Sequence, residues 1–261
     1  MIRAMRTAAS GMMAQQTQVD TIANNIANVN TAGFKKNRVN FRSLLYTTLR
    51  EPGSATSATQ MNPTGLQIGG GAEVAGSVKL FQQGDIQPTG NTFDIAINGP
   101  GFFRIATGTG QFRYTRDGSL RVDGNGDLVT TEGFRLDPGI SIPETAQDVI
   151  IGQDGSVQVR NDGQAALQNV GQISLTRFAN DAGLKAVGSN LYEETESSGP
   201  PTELTPGDVG AGLLRQGFLE RSNVAVVDEL IALIEAQRNY EVNSRTIRVS
   251  DEMLQQVSQL I

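Results

Sequence analysis

The carboxylate-rich turns of this sequence are the first places to look for chemistry. Asp123, Asn125 and Asp127 have the spacing of the first ligands of a calcium-binding loop. Such a loop needs Gly at its sixth position and Glu at its twelfth, where this sequence has Leu128 and Phe134. A tight polar turn therefore explains these residues better, and we expect no metal site there.

Two further segments suggest a substrate site but lack part of the required motif. Residues 99–110, GPGFFRIATGTG, contain neither Gly-Lys-Ser/Thr nor G-x-G-x-x-G before a helix, so phosphate binding is unsupported. Glu193, Glu194 and Glu196 could supply paired carboxylates for glycoside hydrolysis, but they lie beside SSGPP in a loop-like context. A solvated surface is the better interpretation of this cluster.

The composition removes most other catalytic chemistry. The 261 residues include no Cys and no His, which excludes thiolate nucleophiles, Ser-His-Asp triads and the commonest metal ligands. Trp is absent, so stacking platforms for bases or sugars are scarce, and the net charge of −6 argues against a protein that binds duplex DNA. We therefore expect a protein that is not an enzyme, with no cofactor and no nucleic-acid partner.

Helix-breaking residues divide the chain into two helix-compatible ends and a turn-rich middle. All nine Pro lie between Pro52 and Pro206, and 28 of the 30 Gly lie between Gly53 and Gly217. The middle contains Asp-Gly and Asn-Gly dipeptides between short alternating runs such as SVQV at 156–159, a pattern typical of many short strands. We predict an α+β fold in which terminal coiled-coil helices flank a central β-rich sandwich or open barrel.

Both ends carry apolar residues at heptad spacing. The amino-terminal seam is Met5, Ala8, Met12, Gln15, Val19, Ile22, Ile26 and Val29. The carboxyl-terminal seam is Leu233, Tyr240, Ile247, Leu254 and Ile261, with the mostly small or polar Ala236, Asn243, Ser250 and Val257 between them. A sustained seven-residue repeat indicates a coiled coil with a partner helix. The alternative is a surface helix packed on its own globular core.

Charge is unevenly distributed along the chain. Residues 1–50 carry seven Lys and Arg against one Asp, whereas residues 220–261 carry four Arg against seven Asp and Glu. The two ends are therefore expected to attract each other, within one chain or between neighbouring subunits. We expect the basic run at 35–38 to meet acidic groups of the carboxyl-terminal helix. The candidates there are Glu229, Glu235 and Glu241.

Three asparagines, Asn24, Asn25 and Asn28, lie within five positions of the amino-terminal helix. They are costly there because the Asn amide competes for backbone hydrogen bonds. A buried amide that bonds across helices would justify the cost by fixing their register. Asn24 and Asn28 share a helix face, so we expect this role from them. Asn30 or Gly33 then ends the helix, since both residue types tolerate left-handed backbone.

Four blocks of the sequence resemble the axial proteins of the bacterial flagellum, the rod and hook subunits. ANNIANVNTAGFKK at 23–36 is similar to their amino-terminal signature, and SNVAVVDELIALIEAQRNYEVNSRTI at 222–247 is similar to their carboxyl-terminal one. DIAINGPGFFRI at 94–105 and YTRDGSLRVDGNGDLVTTEGFRL at 114–136 resemble their central β-domain. The blocks are colinear and together span nearly the whole chain.

Residues 44–71 resemble the extra stretch that separates distal rod subunits from hook subunits and is associated with a straight, rigid rod. The resemblance implies a structural subunit that polymerises helically into a hollow drive shaft, which transmits torque from motor to hook and encloses an export channel. From the residues alone, the Ser/Thr/Gly/Pro-rich segment 46–71 is either a disordered linker or an extended arm that becomes ordered against neighbouring subunits.

Three alternatives stay open beside the distal rod. The nearest is a proximal rod or hook subunit. A peptidoglycan-acting enzyme that uses carboxylates belongs to another class, and so does a secreted adhesin that forms small closed oligomers instead of open helical tubes.

The expected location depends on the resemblance. The start of the sequence has no uninterrupted apolar stretch, and no apolar run reaches 18 residues, so the residues alone indicate a cytoplasmic protein. The resemblance reverses this, because family members leave the cell through the flagellar type III export apparatus without a cleaved signal peptide. It implies a basal-body rod that spans the periplasm. The implied partners are further copies of the chain, proximal rod subunits, hook subunits, the surrounding peptidoglycan and outer-membrane ring proteins, and the export apparatus.

We therefore expect four segments. Residues 1–45 form the amino-terminal helix and a connection, and this helix pairs with the helix of 220–261. Residues 46–71 form the extended arm, and residues 72–219 form the β-rich domain. Assembly contacts are expected from the two seams, the arm, the three asparagines, Gly33 and Phe34.

Overall fold

A computed structural model describes residues 2–52, 55–57, 60–61, 64–108, 110–161 and 166–259 of the chain. Two long helices, α1 (Ile2–Ala27) and α2 (Val226–Gln259), flank the β-strands of the middle. The predicted α+β fold is thereby confirmed. Ile261 and six positions of the predicted arm lie outside the described residues.

The chain forms two compact units. Unit 1 consists of Met1–Ile26, Asn37–Val78 and Ala225–Ile261, and unit 2 consists of Ala27–Lys36 and Lys79–Val224. These divisions differ from the predicted segments, because residues 27–36 belong to the β-rich unit and residues 37–78 belong with the helices. The chain therefore enters each unit more than once, and segments distant in sequence complete each unit.

The helices of unit 1 pack against each other in antiparallel orientation. Asn25 of α1 hydrogen-bonds Glu229 of α2, and Gly11 lies against the side chain of Asn243. The two contacts are two heptads apart on each helix and run in opposite directions, which defines the register. In this register residues 253–259 of α2 extend beyond the first residue of α1.

Unit 1 also contains short two-stranded sheets. Strand β1 pairs with β6, β2 pairs antiparallel with β5, and β3 pairs antiparallel with β4. The bounds are β1 (Asn37–Ser43), β2 (Tyr46–Arg50), β3 (Ala55–Ser57), β4 (Gln60–Met61), β5 (Leu66–Gly69) and β6 (Ala72–Lys79).

Unit 2 contains the remaining strands and one 3-10 turn, η1 (Asp181–Gly183). The bounds are β7 (Ile86–Pro88), β8 (Ile95–Asn98), β9 (Phe103–Ala106), β10 (Phe112–Thr115), β11 (Leu120–Val122), β12 (Leu128–Thr130), β13 (Arg135–Asp137), β14 (Ala146–Ile151), β15 (Ser156–Asn161), β16 (Gln168–Gln172), β17 (Leu175–Arg177), β18 (Lys185–Gly188), β19 (Leu191–Glu193), β20 (Thr202–Leu204), β21 (Leu213–Gln216) and β22 (Phe218–Glu220). They are short because Asp-Gly and Asn-Gly turns recur between them; Gly126 and Gly155 have φ of 86° and 84°.

The strands of unit 2 form one large sheet and several small ones. The large sheet has the order β11-β12-β13-β9-β10-β19-β18, and β14-β15-β16 form a second sheet. Ile95, Ile97, Phe103 and Ile105 lie at the centre of an aliphatic core and are fully buried. A separate aromatic cluster contains Phe102, Tyr114, Phe178, Leu184 and Tyr192, with Phe81 packed against it.

Candidate assembly surfaces

The predicted seam residues lie at different depths in unit 1. Ile22 is buried and Tyr240 is 46% exposed. Seven further members in the described helices are half-buried: Met5, Met12, Val19, Ile26, Leu233, Ile247 and Leu254. The buried residues of α1 are Ala8 and Ile22, which belong to the predicted seam, and Ala14 and Asn25, which do not. The buried face of α1 therefore overlaps the predicted seam and is shifted toward Ala14 and Asn25.

Small residues explain this displaced face. A Cβ atom on Gly11 would lie only 2.9 Å from the amide nitrogen of Asn243, which is shorter than an ordinary van der Waals contact. With Ala8 and Ala14 on the buried side, α1 presents little bulk where α2 approaches. Close helix packing through small residues leaves the longer Met5 and Met12 side chains half-buried.

Asn25 connects three elements of unit 1. Its Nδ2 donates to the carbonyl oxygen of Asn37 at 2.9 Å and to Oε2 of Glu229 at 3.1 Å, and its Oδ1 accepts from the Asn37 backbone N–H at 2.9 Å. Asn25 and Glu229 are both buried. Within the single chain, Asn25 therefore makes a cross-helix amide bond, whereas Asn24 is exposed and Asn28 lies beyond the end of α1. The register role of Asn24 and Asn28 between copies stays a prediction.

Helix α1 ends at Ala27, earlier than the predicted end at Asn30 or Gly33. A turn follows, in which the Thr31 backbone N–H donates to the Asn28 carbonyl oxygen at 3.2 Å and the Thr31 hydroxyl donates to Asn28 Oδ1 at 3.2 Å. Side-chain bonds of this kind favour turns over helix. Val29 consequently lies outside the helix and outside any helical seam.

Residues 33–35 are inserted into unit 2. Gly33 has a φ of 68°, and its backbone N–H donates to the carbonyl oxygen of Glu220 at 2.8 Å. A Cβ atom there would lie 2.7 Å from the carbonyl carbon of Arg116, so only glycine fits. Phe34 and Lys35 are also buried. The Gly-Phe-Lys signature thus completes the β-rich unit of its own chain, whereas the sequence placed Gly33 and Phe34 in assembly contacts.

The Lys35 ammonium is bound inside unit 2. Its Nζ atom lies 2.6 Å from Oε1 of Glu220 and donates to the carbonyl oxygen of Gln82 at 2.7 Å. Burial lowers the pKa of Lys35 below 10.5, and the nearby Glu220 carboxylate opposes that shift. The expected partners of Lys35 on α2 were wrong, because the carboxylate that it meets precedes that helix.

The Glu220 carboxylate is fully hydrogen-bonded. Besides Lys35, its Oε1 accepts the Gly84 backbone N–H at 2.9 Å, and its Oε2 accepts Nε and Nη2 of Arg116 at 3.0 and 2.8 Å. Lys35, Arg116 and Glu220, named here the Glu220 cluster, are buried. No sequence pattern predicts this cluster, because its members are separated by many residues along the chain.

Helix α2 exposes a run of large apolar side chains. Leu230, Ile231 and Ile234 are 45, 53 and 51% exposed. The further members are Val226, Val227, Tyr240, Val242, Val249, Met253 and Val257. Val227, Leu230, Ile231 and Ile234 lie three or four residues apart and form an apolar face on one side of α2, in addition to the side that packs on α1, whereas the other members are spread around the helix. Apolar faces of this extent indicate a protein contact.

The two ends of the arm whose side chains are described, residues 46–52 and 64–71, are largely exposed as well. Strands β2 and β5 form an antiparallel ladder whose apolar residues Tyr46, Leu49, Leu66 and Ile68 are 60, 51, 50 and 40% exposed. An isolated two-stranded ladder has marginal stability in water. The first and last parts of the predicted arm are therefore extended in the structure and carry apolar side chains toward solvent.

The positions first considered for chemistry have local structural roles. Asp123 Oδ1 accepts the backbone N–H groups of Asn125 and Asp127 at 2.8 and 3.0 Å, and these bonds lower the pKa of Asp123. Glu193 pairs with Lys185 at the surface. Across the described ranges, no group of three or more acidic, His or Cys side chains is arranged to hold a metal ion. Neither described helix is long and apolar enough to cross a membrane.

Known proteins match this chain over its full length. Residues 5–35 match the family "Flagella basal body rod protein", residues 96–159 match "Flagellar hook protein FlgE/F/G D1 domain", and residues 215–260 match "Flagellar basal body rod FlgEFG protein C-terminal". The first match covers most of α1 and the Gly33 turn, the second lies in unit 2, and the third contains Glu220 and all of α2.

Among individual relatives, two flagellar rod proteins have higher sequence identity to this chain than another flagellar protein has. The flagellar basal-body rod protein FlgG of Buchnera aphidicola subsp. Schizaphis graminum is 45% identical over 100% of both chains. FlgG of Bacillus subtilis is 44% identical over 100% of this chain and 99% of its own. The flagellar hook-basal body complex protein FlhP of the same organism is 32% identical over 97% of each chain. This chain belongs to the flagellar basal-body rod protein family, as a structural rod subunit of the FlgG type.

Proposed function

We propose that this chain is the distal rod subunit, which polymerises helically into a rigid hollow shaft that transmits torque from motor to hook and encloses an export channel. The observation that carries the proposal is the apolar face of α2, which is solvent-exposed in the single chain. Burial of one such side chain contributes roughly 1.5–3 kcal/mol. Open assembly of identical copies buries this face repeatedly, and a non-closing contact produces a filament.

The arm supports the rigid character of this shaft. In the proposed assembly the β2–β5 ladder packs against neighbouring copies and covers Tyr46, Leu49, Leu66 and Ile68. Deleting residues 46–66 should leave unit 2 folded and loosen the rod toward hook-like flexibility. The persistence length of negatively stained filaments measures this effect, and an unchanged straight, stiff rod would contradict the role of the arm.

The remaining partners follow from the proposed place in the flagellum. The rod spans the periplasm, meets proximal rod subunits at one end and hook subunits at the other, and turns inside the peptidoglycan and outer-membrane ring proteins. The chain reaches that place through the flagellar type III export apparatus without a cleaved signal peptide. Intact mass of the chain recovered from basal bodies tests the last point, because a cleaved leader would shorten it.

Electron microscopy of the full-length chain tests polymerisation. Concentrated wild-type protein should form straight tubes, whereas a variant with Leu230, Ile231 and Ile234 changed to Gln should remain monomeric with unchanged helical circular dichroism. Val209→Gln is the matched control, because Val209 is fully exposed on a loop of unit 2. Tubes from the triple variant, or monomers from the wild type, would refute assembly through α2.

A further inference from the structure

A small cavity in unit 2 lies beside the glycine-rich segment that the sequence analysis left without a role. Its volume is about 250 Å³, and its walls include Phe81, Gly99, Gly101, Phe102, Arg116 and Asp181. The size suits one long side chain and is too small for a helix. The positive φ angles of Gly99 and Gly101, 120° and 130°, shape one wall as a tight bend.

Asp181 is the unusual group in this cavity. Its Oδ1 atom is buried and has no hydrogen-bond partner among the described residues. Burial raises the pKa of Asp181, although Arg177 and Arg116 oppose the shift. A buried carboxylate oxygen without a partner destabilises the single chain. It would be compensated by a ligand that brings a positive charge.

The cations near Asp181 are committed to other groups. Nη1 of Arg116 donates to the carbonyl oxygens of Gly99 and Gly101 at 2.8 and 2.7 Å, while its Nε and Nη2 bind Glu220. Nη1 of Arg177 donates to the carbonyl oxygen of Gly210 at 3.2 Å. Neither guanidinium forms an ion pair with Asp181 among the described residues, and Asp181 is one of the residues that line the cavity.

The aromatic wall of the cavity consists of Phe81 and Phe102, and the Arg116 guanidinium already lies over the Phe102 ring, 6.0 Å from its centroid. Phe81 and Phe102 pack edge to face with ring centroids 5.4 Å apart, and both line the cavity. The negative faces of aromatic rings attract ammonium and guanidinium groups. A carboxylate oxygen and aromatic walls in a space of one side chain together define a receptor for the end of a Lys or Arg side chain.

We propose that this cavity receives a Lys or Arg side chain from a second copy of the chain. The inference rests on the proposed polymerisation. Charge asymmetry supports a second copy as the source, because residues 51–219 carry ten basic against nineteen acidic residues, whereas residues 1–50 carry seven against one. In a filament, a contact of this kind joins unlike surfaces of successive copies and sets their orientation.

Asp181→Asn in the full-length chain tests the pocket. Loss of one desolvated charge pair should raise the critical concentration for polymerisation by about tenfold, measured by sedimentation in sodium chloride buffer. The thermal midpoint of the monomer should not fall, because the substitution removes the charge of a half-buried carboxylate whose Oδ1 atom is buried without a hydrogen-bond partner among the described residues. Asp85→Asn is the control, since Asp85 is exposed in the same unit, and it should leave both quantities unchanged.

A small guanidinium compound that competes for the cavity distinguishes binding in the cavity from a general effect of ionic strength. Ethylguanidinium should raise the critical concentration of the wild type more than sodium chloride does at equal ionic strength, and it should have no such effect on Asp181→Asn. Equal effects on both proteins, or polymerisation of Asp181→Asn at the wild-type concentration, would overturn the inference alone. If neither the wild type nor Asp85→Asn polymerised, the proposed function would fail and the inference with it.

Discussion

The Glu220 cluster predicts a large loss of stability from the isosteric substitution Glu220→Gln. The side chains of Lys35, Arg116 and Glu220 are 0, 4 and 1% exposed, so water cannot replace the lost carboxylate. Removing one partner of a buried ion pair costs about 3–5 kcal/mol, and here two cations lose their only common anion. For a unit of this size that free energy corresponds to a fall of about 6–20 °C in the thermal midpoint.

The assay is thermal and urea unfolding of the full-length chain, monitored through a spectroscopic signal that reports on unit 2. Glu203→Gln is the matched control, because Glu203 pairs with Arg104 at 2.6 Å while its side chain is 47% exposed. An exposed pair contributes about 0–1 kcal/mol, so this control should change little. A Glu220→Gln protein as stable as the Glu203→Gln protein would refute the argument that burial makes the Glu220 carboxylate indispensable.

A double-mutant cycle tests the same argument from the other side. Lys35→Met removes one of the two buried cations, so it should reduce the damage that Glu220→Gln causes. The double variant is then expected to be more stable than the sum of the two single effects. Additive effects would mean that Lys35 and Glu220 do not interact in the folded protein, contrary to their 2.6 Å contact.

Three further predictions concern single positions in the two units. Asn25→Leu should lower the free energy of unfolding by about 1–3 kcal/mol because the Glu229 carboxylate loses a buried donor, whereas Asn239→Leu at an exposed position of α2 should be nearly neutral in the same urea titration. Gly33→Ala should cost at least about 1–3 kcal/mol because of its positive φ and the adjacent Arg116 backbone; Gly139→Ala, whose added methyl group would have no heavy atom within 4 Å, is the thermal-melt control, and equal melting points would contradict the steric argument. Asp181→Asn should stabilise the monomer at pH 7, and the gain over wild type should shrink as the pH falls through the raised pKa of Asp181 toward 3.8, since protonation removes the same charge; a gain that does not depend on pH would exclude this cause.

The sequence supported the class of fold because its signals are local. Gly and Pro placement separated the helical ends from the strand-rich middle, and Asp-Gly and Asn-Gly turns predicted many short strands. The resemblance of four blocks supplied the family. The sequence did not determine which individual residues of α1 are buried, because its heptad pattern is compatible with two neighbouring faces. The close approach at Gly11 selects the face on which Ala14 and Asn25 are buried together with the seam residues Ala8 and Ile22.

The asparagines and the basic run show what the sequence by itself determined. It established that amides in α1 and a cation after Gly33 need partners, because a helix-interior Asn is costly and the chain changes conformation at that glycine. It could not name those partners, since Asn25 meets Glu229 and Lys35 meets Glu220 across more than 180 intervening positions. Tertiary structure decided both, because hydrogen bonds and ion pairs depend on distances in space, and sequence spacing fixes such distances only within a single helix or hairpin.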